Sequence, residues 1–311
     1  MSEKQKFRTT IGGQAVMEGI MMRGPGKAVV TVRTSGGVQS RELKVAKPRS
    51  PKHILAWPLL RGIVVFGSSL RLGMKALNYS ADFYAADTGE EETSKVDQWL
   101  EKHKSAQTAM TVAAMLLGLA LAVGMFTVLP TLAGGWMRDQ LELDIMVRNV
   151  IEGLLRVVIL LLYLALVSRL KDIRRVFAYH GAEHKIIACY EAGEELTVEN
   201  VRRFPRQHPR CGTSFLLNVI IISILVFFWV NWDSWAIRVA LRLAMLPVVV
   251  CLAYEFNRWA GRHENILSRV LRKPGLWMQR LTTYEPDDGM IEVGIEAMKQ
   301  VVPEDKGSDA W

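Results

Sequence analysis

From Ala106 to Pro130 the chain runs AQTAMTVAAMLLGLALAVGMFTVLP without one charged side chain. A helix rises about 1.5 Å per residue, so such a stretch more than crosses a hydrocarbon core of roughly 30 Å. The chain therefore folds around at least one membrane helix. Three further apolar stretches repeat the pattern: Asn149 to Leu170, containing VVILLLYLALV; Ser214 to Val230; and Ala236 to Phe256. Four spans put both termini on one side of the bilayer.

Basic residues set the orientation, because segments rich in lysine and arginine stay on the cytoplasmic side. The segment up to Ser105 carries 17 of them, residues 169–213 carry 9 and the segment from Asn257 carries 8, whereas residues 131–149 carry 2 and residues 231–235 none. Both termini and the 169–213 connection are thus expected in the cytoplasm. The net charge of +8 reads as topology rather than as a nucleic-acid footprint, since the charges are spread along the chain. The polar start MSEKQKFRTT leads into a glycine-broken stretch, so no cleavable signal peptide is expected. Three cysteines are too few and too scattered for a disulfide framework.

Residues 54–81 are apolar but interrupted by Arg61, Arg71 and Lys75, which fall within about 80° of one another on a helical wheel. A narrow basic stripe on an apolar helix suits an interfacial or re-entrant segment. Upstream, AVVTVRT and VQSRELKV flank Ser35-Gly36-Gly37 and predict a β-hairpin. KVDQWLEKHKSA reads as a helix entering the membrane, and the C-terminal portion as a helix, a turn at Pro286-Asp287-Asp288-Gly289 and a second helix. The fold class expected is a mainly α membrane protein: about four transmembrane helices, an interfacial or re-entrant amphipathic helix, and a small mixed α/β cytosolic cap with an N-terminal hairpin. Its divisions are 1–53, the glycine-rich segment and hairpin; 54–105, the amphipathic segment and a cytosolic helix; 106–256, the bundle with the 169–213 loop; and 257–311, the cytosolic C-terminal segment.

The densest chemical signal is YHGAEHKIIACYEAGEE, just after the second span. His180 and His184 stand four apart, about 40° on a helix, and can share one divalent metal ion, zinc above all. Glu183 lies between them as a candidate general base, and the string H-x-x-E-H is the inverse of the zinc-peptidase motif. QHPRCG adds His208 and Cys211, either of which could complete the ligand set. A further carboxylate ligand stays open among Glu191, Glu194, Glu195, Glu255 and Glu264. Glu18, in the glycine-rich start, is a candidate buried partner for Arg23 or for the metal loop. Within the spans, Glu152 with Arg156 and Arg238 with Arg242 form i,i+4 sets toward the outer helix ends, and such charges mark a polar cavity or partner site.

The segments GGQAVMEGIMMRGP, ALNYSA, YHGAEHKIIACYEAGEELTVENVRRFPRQHPRCGTSFLL and LTTYEPDDGMIEV together resemble the YqhQ-like domain-of-unknown-function family of bacterial membrane proteins. The resemblance implies a bacterial inner (plasma) membrane protein, multi-pass, with metal-dependent enzyme chemistry at His180, Glu183 and His184. The string comes without an assignable third ligand and without a large peptidase domain, which argues against proteolysis. The leading expectation is a metal-dependent hydrolase with a cytosolic divalent-metal site. Its rival is a non-enzymatic accessory protein docking on another membrane complex, of insertion, translocation or quality control. The expected partners are the lipid bilayer and either a membrane protein or a second copy of the chain, with no nucleic acid.

Overall fold

The computed structural model describes residues 7–45, 53–88, 103–228, 232, 234–263, 265–305 and 308–310. An antiparallel sheet of order β1-β2-β3-β4 forms near the N-terminus: β1 (Gly12–Val16), β2 (Gly19–Arg23), β3 (Ala28–Thr34) and β4 (Gly37–Leu43). The expected hairpin is β3–β4, which pairs Ala28 with Leu43 and Thr34 with Gly37. The preceding glycine-rich stretch is a second hairpin, turned at Met17 and Glu18, with Glu18 in the left-handed region at φ 48°.

Helices cover both faces of this sheet. Ile20, Met22 and Val29 pack into one core with α5 (Lys171–Glu191) and α10 (Asp288–Val301), through Tyr179, Ile186, Ile291 and Met298. Met21, Val30 and Val32 face the other way, onto Leu72 and Ala76 of α1 (Arg61–Thr88). A strand buried on both faces loses the alternation that announces a half-exposed one.

The rest is helical. A continuous rod comprises α2 (Lys104–Val123), a π-helical stretch (Gly124–Val128) and α3 (Leu129–Leu141). The expected stop at Pro130 does not occur. Proline lacks an N–H and its ring crowds the carbonyl four residues back, and the wider π turn just before it accommodates both effects. Then follow α4 (Ile145–Val167), α6 (Val198–Arg202), α7 (Gly212–Phe227), α8 (Trp235–Arg262) and α9 (Ile266–Thr282). Among the described residues three stretches are long and apolar enough to cross a membrane: Val112–Leu141, Ile145–Val167 and Trp235–Arg262. The fourth expected span is α7, equally apolar but 16 residues long.

Helix α1 joins the two parts. At its start Arg61 forms a two-point ion pair with Glu255 of α8, at 2.5 and 2.6 Å, and Gly62 lies against Cys251 and Tyr254. Further along, Leu72 and Ala76 meet the sheet while Arg71 and Lys75 point to solvent. The two expected C-terminal helices are α9 and α10, but no turn forms over residues 286–289. An irregular segment runs from Thr283 to the N-cap Asp287, and Asp288 and Gly289 open α10, because the Asp287 side chain caps the helix at that point. The helix expected over KVDQWLEKHKSA falls mostly outside the described residues.

Candidate metal centre

Helix α5 is docked at its start by Glu18, whose carboxylate takes the Arg175 guanidinium at 2.5 and 2.6 Å and the Tyr179 hydroxyl at 3.3 Å. One turn on, His180 and His184 meet edge to face with ring centroids 4.3 Å apart. Each Nδ1 meets a backbone carbonyl: His180 that of Thr282 at 2.8 Å, and His184 that of Arg206 at 2.6 Å. A carbonyl only accepts, so each Nδ1 carries a proton, and in the neutral imidazole the lone pair is then on Nε2. This is how metal-binding histidines are oriented by their surroundings.

The chain from Thr282 to Tyr284 approaches α5 closely because residue 181 is glycine; a Cβ there would collide with the Tyr284 carbonyl oxygen. Gly181, a weak helix former by itself, is therefore what lets the Thr282 carbonyl reach His180.

The third donor comes from Cys211, the N-cap of α7, whose Sγ lies 3.1 Å from His180 Nε2 and accepts from the Thr213 N–H at 3.3 Å. His184 Nε2 is buried with no hydrogen-bond partner. The three donor atoms lie within 4.8 Å of one another. Burial works to raise the Cys211 thiol, but the His180 and His184 imidazoles outweigh it and hold the thiol well below its usual range. Burial likewise acts to lower His180, and the neighbouring Cys211 sulfur overrides it, lifting the imidazole to about 9.

Glu183 is buried beside this group. Its Oε1 accepts the Gly13 N–H at 3.0 Å, and its aliphatic stem lies under the Gly13 backbone so closely that a Cβ at residue 13 would come within 2.8 Å of it. Burial pushes the Glu183 carboxyl up, against the opposing pull of His184 and His180. Strand β1 thus positions a carboxylate next to the two imidazoles.

His208 lies outside the donor group. Its ring centroid is 5.7 Å from that of His184, and its Nε2 faces Glu191 Oε2 at 3.5 Å. Burial is the main cause holding its pKa below the usual imidazole value. Glu191 also receives Arg210 and the Thr9 N–H, the latter at 2.8 Å. Burial opposes ionisation of Glu191, yet His208 and Arg210 outweigh it and hold the carboxyl below its ordinary value. Glu194 pairs with Arg203 and Glu255 with Arg61, away from the histidines. Glu264 lies outside the described residues. Glu18 finds Arg175 rather than Arg23.

A cavity of about 580 Å³ opens beside Cys211, between the first turns of α1, the start of α7 and the end of α8. Val65, Phe66 and Phe215 give it apolar walls, and Arg258 and Arg262 also line it.

At the other end of the bundle the structure brings Glu152, Arg156, Arg238 and Arg242 together, and adds Arg148, which the sequence reading counted with the polar connection. The signal was present, since Arg148, Glu152 and Arg156 repeat every four residues on α4.

The family model described as "Protein of unknown function (DUF1385)" matches residues 57–304. "Uncharacterized protein YqhQ" of Bacillus subtilis (strain 168) is 36% identical over 306 residues, covering 96% of this chain and 94% of that protein. No solved structure matches the chain. The chain belongs to the DUF1385 family, and the resemblance stated from its motifs is borne out.

Proposed function

We propose that this is a multi-pass membrane protein that holds zinc through His180 Nε2, His184 Nε2 and Cys211 Sγ, and that this centre carries out metal-dependent hydrolysis with Glu183 as general base. The observation that carries the reading is the orphaned His184 Nε2, fully buried and gathered with two other soft donors inside 4.8 Å. A buried ring nitrogen with no partner is costly to leave so, and a metal ion is the partner that two imidazoles and a thiolate fit. Zinc there would supply Lewis acidity and ease deprotonation of water at neutral pH.

Three protein donors are the number that leaves one position for substrate, whereas a structural site is closed by four. His208, the natural fourth, is turned toward Glu191. Glu183 would take the proton from the attacking water, and the Gly13 N–H fixes its carboxylate for that role. The cavity at Cys211 would admit an amphiphile, its apolar part against Val65, Phe66 and Phe215 and its polar end toward the metal. The excess of basic residues in the neighbouring segments supports a position for this centre on the cytoplasmic side of the bacterial inner membrane.

The test is elemental analysis of the detergent-purified protein beside His184→Ala and Cys211→Ser. About one zinc per chain in the parent, sharply reduced in both variants, is the expected result. Glu183→Gln should keep its zinc and lose hydrolysis of ester-bearing amphiphiles. A folded, metal-free parent would overturn the reading and shift the assignment to docking on another membrane complex.

A further inference from the structure

The second concentration of buried polar groups lies between α3, α4 and α8, far from the zinc-binding candidates. Glu152 is fully buried, and four guanidinium groups surround it: Arg148 at 3.6 Å, Arg238 at 3.4 Å, Arg156 at 4.0 Å, and Arg242 in direct contact. Among the described residues Glu152 is the one carboxylate in ion-pair range of these arginines, so the cluster carries an excess of three positive charges. All four arginines are more than nine-tenths buried.

Their N–H groups are not used up. Arg242 is the best served, reaching Glu152 and the Thr131 hydroxyl and lying over the Phe227 ring. Arg148 has only the Asn149 side-chain oxygen at 3.2 Å, and Arg238 a long bond to the Thr131 carbonyl at 3.4 Å. Seven guanidinium nitrogens remain buried without a hydrogen-bond partner: Arg148 Nε and Nη1, Arg156 Nε and Nη2, Arg238 Nε and Nη1, and Arg242 Nε. Of these, Arg148 Nε, Arg238 Nη1 and Arg156 Nη2 face Glu152 at ion-pair distance, and Glu152 Oε1 is itself without a hydrogen bond. The other four have no anionic partner among the described residues. A buried cation without compensation is strongly unfavourable, and several converging on one point call for an anion.

The backbone of α3 approaches the cluster closely. Gly134 and Gly135 of α3 face the cluster; a Cβ at residue 134 would collide with the Glu152 side chain, and one at 135 would lie 3.1 Å from Arg238 Nη2.

We infer that this cluster is a binding site for a phosphate-type oxyanion. The planar, forked donors of arginine match the paired oxygens of a phosphoryl group, and a dianionic phosphate would cancel most of the excess charge while accepting the free N–H groups. The phosphoryl group comes either from a lipid headgroup or from free phosphate, and the experiment separates the two.

Lipid-stripped protein in neutral detergent is unfolded thermally at constant ionic strength, with inorganic phosphate titrated against chloride, and separately with phosphatidylglycerol against phosphatidylcholine. A saturable rise in Tm is expected, about 5 °C at a hundredfold excess over Kd. A rise with phosphatidylglycerol alone assigns a lipid headgroup, and a rise with inorganic phosphate assigns the free anion. Arg148→Gln and Arg238→Gln should each abolish the rise. Should those variants fail to fold, Glu152→Gln decides: as a site for an external oxyanion it binds phosphate at least as tightly, because one competing carboxylate is gone. Equal behaviour in phosphate and chloride together with equal behaviour in the two lipids overturns the proposal, as does loss of phosphate binding in folded Glu152→Gln.

Discussion

At the scale of single residues, two small contacts hold the candidate centre in shape. Gly181 lets the Thr282 carbonyl hold His180 Nδ1. Gly181→Ala should push the 282–284 segment away, at a cost of about 1–3 kcal/mol for overpacking a tight contact. The variant should unfold at lower temperature and hold zinc more weakly, both measurable on the same preparation. Glu191 acts differently, anchoring His208, Arg210 and the chain at Thr9 at once. Its carboxyl titrates below its ordinary value in the folded protein, so its stabilisation is fully present above the unfolded pKa of about 4.3 and is lost as pH falls through the lower folded value. The Tm difference between the parent and Glu191→Gln should therefore be constant above about pH 5 and close in more acidic buffer. A difference that grows on acidification would contradict this. These roles also mark where sequence reading stops. The H-x-x-E-H spacing makes two adjacent imidazoles legible, but the choice between Cys211 and His208 depends on Glu191, which turns His208 aside across a fold-level contact.

At the scale of elements, the β1–β2 hairpin is the part whose structure most exceeds its sequence signal. The β3–β4 hairpin announces itself through β-branched runs around a glycine turn. GGQAVMEGIMMRG does not, because its strands are short, rich in glycine and methionine, and β2 is covered by α1 on one side and by α5 and α10 on the other. Its glycines read as sites of close packing, which Gly13 is, against Glu183. If the hairpin positions the general base, Gly13→Ala should leave the zinc content near the parent value and reduce kcat by about 10- to 100-fold, since displacements near 1 Å are enough for such losses. Zinc lost together with activity would instead make β1 part of the metal-holding framework. The apolar helices were readable from composition alone, whereas the passage of the rod through Pro130 was not, because it depends on a local π turn.

At the scale of the whole molecule, the two polar centres lie at opposite ends of the helical part. Sixteen residues separate Glu152 from Ser168, the C-cap of α4, about 24 Å of helical rise, and the His180 group lies beyond that. Between them the outward surface is apolar: Leu116, Leu117 and Leu121 on α2, Leu154, Leu162 and Leu166 on α4, and Leu225 on α7 are each more than half exposed. Such a surface is unfavourable in water and natural in lipid. Helix α9 adds Ile266, Leu267, Val270 and Trp277, exposed along one side with Arg269, Arg272 and Lys273 nearby in sequence, the composition of a helix lying at a membrane surface. A membrane around this girdle would put the arginine cluster near one face and the His180 group at the other, and the excess of basic residues predicts the cytoplasmic side for the latter. Single cysteines at Glu142, between α3 and α4, and at Glu194, after α5, test the arrangement with a membrane-impermeant maleimide on cells stripped of their wall. Glu142→Cys should label on intact cells and Glu194→Cys only after lysis. The reverse pattern would place the zinc-binding candidates outside and the arginines inside. Labelling of both from outside would remove the barrier between the two ends, and the leucine girdle would then require a protein rather than a bilayer to cover it.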